Sequence, residues 1–321
     1  MRRIIAYAAA IAALAAAAAP AQAQTYPQRP LRILVPLVAG GGMDTVTRSL
    51  ALKLSEAFAQ NVIVDNRPGA GSQVALEILA GSAPDGYTLM MISGTTVVHP
   101  ILYKSRFDIV RDFTPVSQVT AQGYALVVHP SIPARTAGEF VQYLRAHPGK
   151  LNYASSGIGS LIHMSGELFQ IATGTRMTHV PYKGMGGAYS DLISGNVQSA
   201  FPTIISSLVH IKNGRLRALA VTPPKRAPSL PDVPTMAEAG IQGVVVVNWY
   251  GLIAPARTPR AVVERLAAET AKAMQLPEVT KRLVADGSEA APSSPQAFAD
   301  HLRAEHALWA RVIKQAGIVG Q

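Results

Sequence analysis

Beyond residue 24, short runs of β-branched and apolar residues alternate with longer stretches in which apolar positions recur at helical spacing. The short runs read "LRILVPLV", "NVIVDNRP", "YTLMMIS", "ALVVHP", "LNYAS", "MTHVPY", "VQSAF" and "LRALAVT". Alternation of this kind predicts an α/β architecture with largely parallel sheets, each strand returning through a helix. The first helical stretch sets Val46, Leu50, Leu54 and Phe58 at intervals of four, one apolar stripe for burial, and leaves Lys53, Glu56 and Gln60 elsewhere on the surface. From Thr258 onward the pattern is purely helical. Thr258-Pro259 reads as N-cap and first helical residue, Gly287 as a stop and Ser294-Pro295 as another start. Helices without strands of their own must pack on a sheet already built, and the first sheet is the expected place. The chain then crosses between two lobes twice, at "VTAQGYALVV" and at "VVVVNWYGLIAPA". This divides it into lobe 1 over 24–125 and 248–321 and lobe 2 over 126–247.

The first 23 residues stand outside this pattern. Arg2 and Arg3 precede an alanine-rich run that ends in Ala21-Gln22-Ala23, the layout of a secretory signal peptide cleaved after Ala23. No later stretch has the unbroken apolar length of a membrane span, so the mature chain is expected to be soluble and not itself in the membrane. Cysteine is absent, which removes disulfides, thiolate metal sites and cysteine nucleophiles. About 300 mature residues is more than one ordinary core and fits two lobes. The formal net charge of +10 falls to +8 with the loss of Arg2 and Arg3. The basic residues are scattered and not interleaved with aromatics, which argues against nucleic acid and leaves small anions as the partner class.

Chemistry enters with glycines. In "VPLVAGGGMDT" a strand runs through Gly40, Gly41 and Gly42 into the first helix, with Asp44 in position for an N-cap. Glycines permit close backbone approach, and a helix N-terminus offers unpaired N–H groups to an anion. A single loop of this kind can equally be a tight turn without ligand. The motif recurs in "NYASSGIGSLIHMSGELF", with Ser155, Ser156, Gly157, Gly159 and Ser160 before a helix, and in "VPYKGMGGAYSDLI", with Gly184, Gly186 and Gly187. Two such loops on different lobes, facing one cleft, would hold an anion from both sides. Other glycine chemistries fail on their letters: Gly69-Ala70-Gly71 is followed by Val74, and Gly157-Ile158-Gly159 by Ile162, where a dinucleotide fingerprint needs glycine. Neither Gly-Lys-Ser/Thr nor Gly-x-Ser-x-Gly occurs. Ser160 and His163 form a conceivable esterase pair, with no acid assigned to orient the histidine. The eight histidines show no metal-ligand spacing. No cofactor or metal is expected, and Trp249 and Tyr250 read as core, with a cleft wall as the alternative.

Nine segments in order, "YPQRPLRILVP", "GGGMD", "VDNRPGAG", "APDGYTLM", "LNYASSGIGS", "HVPYKG", "IKNGRLRALAVT", "LPDVPTMAEAG" and "WYGLIAPA", resemble the solute-binding proteins of tripartite tricarboxylate transporters, the Bug family. The resemblance spans the mature chain. It implies a monomeric periplasmic binding protein of the type 2 fold, whose two lobes close on a small carboxylate (a di- or tricarboxylate or an aromatic acid). It implies delivery to integral membrane permease subunits or, as the alternative, docking on a sensor kinase. By the same analogy, Leu37, Val38, Ala39, Gly40, Gly41, Gly42, Met43 and Asp44 would offer backbone amides to one carboxylate, and Ser155, Ser156, Gly157 and Ser160, with His163 behind them, would hold the ligand from the other lobe. The chain departs from the family pattern at Ala39 and Met43, where proline and Thr or Ser usually flank the glycines. It departs again at Pro202 and Thr203, ligand-binding positions by the same analogy, which replace Asp-Asn in a common Phe-Asp-Asn-Leu stretch.

Overall fold

The computed structural model describes residues 26–103, 105–285 and 288–320. The signal segment and Gly287 lie outside these residues. Every strand expected from the sequence is present: β1 (Leu31–Val35), β2 (Val62–Asn66), β3 (Thr88–Ser93), β5 (Ala125–Val128), β6 (Asn152–Ser155), β7 (Thr178–Pro181), β8 (Ser199–Ala200) and β9 (Arg217–Val221). Three more join them, β4 (Phe113–Gly123), β10 (Val247–Pro255) and a short β11 (Glu289–Ala290). They form two sheets, in the orders β11-β4-β10-β3-β1-β2 and β7-β6-β8-β5-β9.

Among the named strands, parallel pairing is confined to β2-β1-β3 and β7-β6-β8, where each strand returns through a helix. The strands that carry the chain between sheets enter antiparallel: β10 pairs with both β3 and β4, and β5 with both β8 and β9. Only Tyr124 separates β4 in the first sheet from β5 in the second. The return passes through Val246 into β10, beside the outward crossing. Thr222 N–H donates to the Tyr124 carbonyl at 2.9 Å, Val246 N–H donates to the Thr222 carbonyl at 3.3 Å, and Val247 stands opposite Gly123. The two crossings are thus one hydrogen-bonded pair of strands.

Helices cover both faces of both sheets. On the first, α1 (Gly42–Phe58), α8 (Arg260–Gln275) and α9 (Pro277–Ala285) bury one face, with Val46, Leu50, Leu54 and Phe58 inside as the spacing predicts. The opposite face carries α2 (Gln73–Ala80), α3 (Gly94–Leu102) and the first half of α10 (Pro295–Ala316). On the second sheet, α4 (Ala137–Ala146) and α5 (Leu161–Thr173) share one core, and α6 (Met185–Ser194) and α7 (Ile204–Lys212) the other.

The C-terminal helices do not all stay on the first sheet. Phe298 and Leu302 of α10 lie in its core, but Trp309, Val312 and Ile313 pack with α5 and Val98 in the core of the second. A helix of 22 residues is about 33 Å long, enough to lie across both bodies. Ser294 caps it as expected, its side chain accepting from Ala297 N–H, with Pro295 in the first turn. The start of α8 falls one residue later than expected. Pro259 is its N-cap, and the Thr258 hydroxyl instead donates to the Pro255 carbonyl at 2.8 Å.

Candidate functional site

In the first sheet the parallel strands β1, β2 and β3 end together, and each feeds a turn that opens a helix. The turn after β1 is 36–41. Leu37 and Val38 are exposed at 48% and 68%, apolar side chains turned to solvent beside bare backbone. Gly40 has φ +86°, a conformation that L-residues with side chains rarely adopt. Gly41, with φ −80° and ψ 170°, is the N-cap of α1 and contributes no side chain.

Asp44 is therefore not the cap that its position suggested. It stands in the first helical turn, buried, and reaches back: Oδ2 accepts from Gly40 N–H and from Arg48 Nε, both at 2.9 Å, and Oδ1 accepts from Asn66 Nδ2 at 3.0 Å. Asn66 also donates to the Leu37 carbonyl and accepts from Arg48 Nη2, each at 3.0 Å. The hydrogen bond from Arg48, with help from Gly40 and Asn66 and against burial, pushes the Asp44 carboxyl down to about 2. The loop is clamped at its shoulders, while Gly41, Gly42 and Met43 keep N–H groups without helical acceptors. Met43 itself is buried, so the loop presents main chain, not its side chain. The part of Asn66 was not legible beforehand, although its segment, "VDNRPGAG", carried part of the resemblance.

The second loop is built differently. Ser155 ends β6 and is fully buried. Its Oγ accepts from Gly157 N–H at 3.1 Å and lies 2.7 Å from His179 Nε2. His163, also buried, accepts the Gly159 N–H on Nδ1 at 3.1 Å. Ser160 caps α5 by accepting from His163 N–H at 3.2 Å. The side chains of Ser155 and His163 thus hold the loop from beneath, and Ser156, Gly157 and Ser160 form its partly open rim. No Ser160–His163 side-chain bond forms among these contacts. The third glycine loop lies against the second, with Tyr182 N–H donating to the Ser155 carbonyl at 3.0 Å and Gly184 N–H to that of Ser156 at 3.3 Å. Pro202 and Thr203 follow β8 at the same end of the sheet. Thr203 is the N-cap of α7 and bridges to Tyr124 at the crossing.

Contacts string the two loops together. The Tyr250 hydroxyl lies 3.3 Å from where a Cβ on Gly42 would stand. Tyr250 pairs across β10 and β3 with Ser93, the N-cap of α3. The next residue, Gly94, leaves room for Leu161, whose Cδ1 lies 2.6 Å from a Cβ built on it. The turn before Leu161 rests on the same helix, where a Cβ on Gly159 would meet Leu102. The N-terminal turns of α1, α3 and α5 therefore converge. A surface depression of about 340 Å³ beside Pro130, Ile211 and Leu216 lies on the α7 side of the second sheet, away from this convergence.

Beneath the second loop the rings of His163 and His179 stack with centroids 3.9 Å apart, and Tyr153 stacks on His179 at 4.9 Å. The Tyr153 hydroxyl donates to Glu167. Burial, with the charge of His179, pushes His163 down to about 3, and burial alone pushes His179 to about 4. Both histidines are neutral in the fold and take up protons near 6.5 when it opens, so stability is fully present above 6.5 and is lost as pH falls from there toward 4. H163N/H179Q, which keeps a hydrogen-bonding group at each bonded position without the titration, is expected to flatten that slope in denaturant melts between pH 7 and 4.5. An unchanged slope would place the acid sensitivity elsewhere.

The description of the TctC family, "tripartite tricarboxylate transporter family receptor", matches residues 46–318. The protein BugT of Bordetella pertussis is 34% identical over 324 residues, covering 99% of this chain and 98% of its own. A solved structure from R. palustris, described with adipate, superposes with a TM-score of 0.77 at 35% identity, covering 92% of this chain and 99% of that one. MatC from Rhodopseudomonas palustris, with bound malate, gives a TM-score of 0.74 at 31% identity over 90% and 100% of the two chains.

Proposed function

The chain belongs to the tripartite tricarboxylate transporter family of solute receptors, and from that premise we propose that it binds a small carboxylate without an α-amino group between its two sheets and hands it to a permease of the tripartite type. The observation that carries this reading is the convergence of the α1 and α5 N-terminal turns, with Gly41, Gly42 and Met43 offering amides. The residues of the first loop contribute main chain, Ser156, Gly157 and Ser160 the opposite rim, and Thr203 the floor near the crossing. Closure is a rotation about the paired crossings at Gly123 and Val247, with α10, packed in both cores, bending or sliding as the sheets move.

The acids near the candidate loops are already engaged, which supports the ligand class. An α-ammonium enclosed between lobes requires a carboxylate or several carbonyls, because an unpaired buried cation is costly. Both Asp44 oxygens are engaged by Arg48, Gly40 and Asn66. Asp191 accepts from the Tyr182 hydroxyl at 2.5 Å and from Asn196 at 3.2 Å. The position where the family commonly has aspartate is Pro202. Adipate and malate, named for two structural neighbours, are diacids without an amino group.

The test begins with mass spectrometry of ligand released from protein purified without refolding. It continues with calorimetry on matched pairs, succinate against aspartate and glutarate against glutamate, with benzoate alongside. The amine-free member is expected to bind more tightly in each pair. At one hundred times its dissociation constant the ligand should add about 2.7 kcal/mol of stability. It should also reduce the radius of gyration in X-ray scattering. Preference for either amino acid would overturn the ligand class, and binding without compaction of an open apo form would overturn closure.

A further inference from the structure

Tyr250 lies on the crossing strand β10, where the sequence offered core packing or a cleft wall. Its register is fixed on both sides, opposite Ser93 of β3 and Thr120 of β4. Strand alternation sends its neighbour Trp249 to the other face, where that indole is fully buried against Phe298 and His301. The Tyr250 ring is half-buried against the core beneath α1 and α8. Its hydroxyl reaches the first residue of α1, 3.3 Å from the site of a Gly42 Cβ, and so stands beside the amides of Gly42 and Met43.

We propose that Tyr250 is a specificity-determining residue of the carboxylate site, its hydroxyl donating to the oxygen that the α1 amides leave unsatisfied. A carboxylate has about four lone-pair positions, more than one helix N-terminus can fill, and a phenol is a protonated donor at neutral pH. The glycine at 42 has a second reason here: it leaves space for this hydroxyl. Asn248, two residues earlier on the same face of β10, donates to Gln122 Oε1 at 3.0 Å and fixes the polar wall behind the ring. The position also gives the ligand a grip on the strand that carries the chain between the two sheets. This assignment rests on the cleft being a carboxylate site.

The experiment compares the parent, Y250F, G42A and G42A/Y250F by calorimetry, using succinate, glutarate, adipate, malate and benzoate as probes. Phenylalanine keeps the ring, so folding is preserved. A hydrogen bond to a charged group corresponds to roughly a tenfold to hundredfold change in affinity. Y250F is expected to weaken the best probe by that factor. A methyl at 42 would stand 3.3 Å from the hydroxyl and push it by a few tenths of an ångström, so G42A should weaken binding in the parent and cost little more once the hydroxyl is gone. Parent-like binding by Y250F, or an equal G42A loss in both backgrounds, overturns the assignment. Failure of the parent to bind any probe overturns the carboxylate reading itself, and this assignment with it.

Discussion

Gly41→Val is expected to abolish carboxylate binding, with a loss greater than about a hundredfold, while leaving the fold intact. Gly41 occupies an extended conformation, φ −80° and ψ 170°, that valine adopts without strain. The nearest heavy atom to an added Cβ is the Val38 carbonyl oxygen at 3.8 Å, ordinary contact distance. The substitution therefore removes neither a packing contact nor a hydrogen bond. What it adds is an isopropyl group across the amides of Gly42 and Met43, whose charge-assisted bonds to an anion are each worth roughly 1.5–3 kcal/mol. Gly40 is a poorer probe, because its φ of +86° makes any substitution strained before a ligand arrives. Calorimetry with the ligand recovered from native protein, beside a thermal melt of the variant, decides the matter. Retained affinity with an unchanged melt would mean that the anion is held elsewhere.

Glu305→Ala is expected to produce the largest loss of stability from a single polar side chain, about 2–4 kcal/mol. The chain has two tryptophans, and both donate to this one buried carboxylate: Trp309 Nε1 at 2.8 Å from the same helix, and Trp249 Nε1 at 3.4 Å from the crossing strand. Trp249 lies in the core of the first sheet and Trp309 in that of the second, so Glu305 ties the two cores together midway along α10. Alanine leaves two indole N–H groups buried without an acceptor and opens a cavity between the rings.

Burial pushes the Glu305 carboxyl up, with the two indole donors only partly opposing it. The folded pKa therefore exceeds the unfolded value of 4.5. The favourable contribution is fully present below 4.5 and is lost as pH rises through the folded value, where a buried charge must be carried. Glu305→Gln retains an acceptor for the indoles and carries no charge. It should match the parent in acid and exceed it at neutral pH, as measured by denaturant unfolding at the two ends. The titratable neighbours are His301, one turn earlier on α10, and Tyr124 at the crossing. Because both fluorophores contact one group, indole emission in the parent should show a step that follows Glu305, and that step should be missing in Glu305→Gln. An Ala variant as stable as the parent would remove Glu305 from this role.

The histidine pair under the second loop works in the opposite sense from Glu305. Neutral His163 and His179 favour the fold above 6.5, whereas neutral Glu305 favours it in acid. Substitutions at the two places can therefore be told apart by the direction in which the stability profile moves.

Local pattern was enough for the parts of this protein whose cause is local. A short β-branched, apolar run located β1 and period-four spacing located α1, because an element buries the positions that its own sequence makes apolar. Glycine runs located the turns after β1, β6 and β7, because main chain without Cβ takes up conformations such as φ +86° at Gly40 or +129° at Gly157 with least strain. The family, too, was legible from ordered short segments. What tertiary structure alone decided are pairings over long separations. Gln122 meets Asn248, Asn66 reaches Leu37 and Asp44, Tyr250 arrives over Gly42, and α10 runs from one core into the other. Asp44 shows the limit within a single turn: the letters place an acid at a helix start, but whether it caps, binds or braces depends on Arg48 and Asn66. Local sequence fixes which groups each element offers, and the enclosing fold fixes which of those groups find partners.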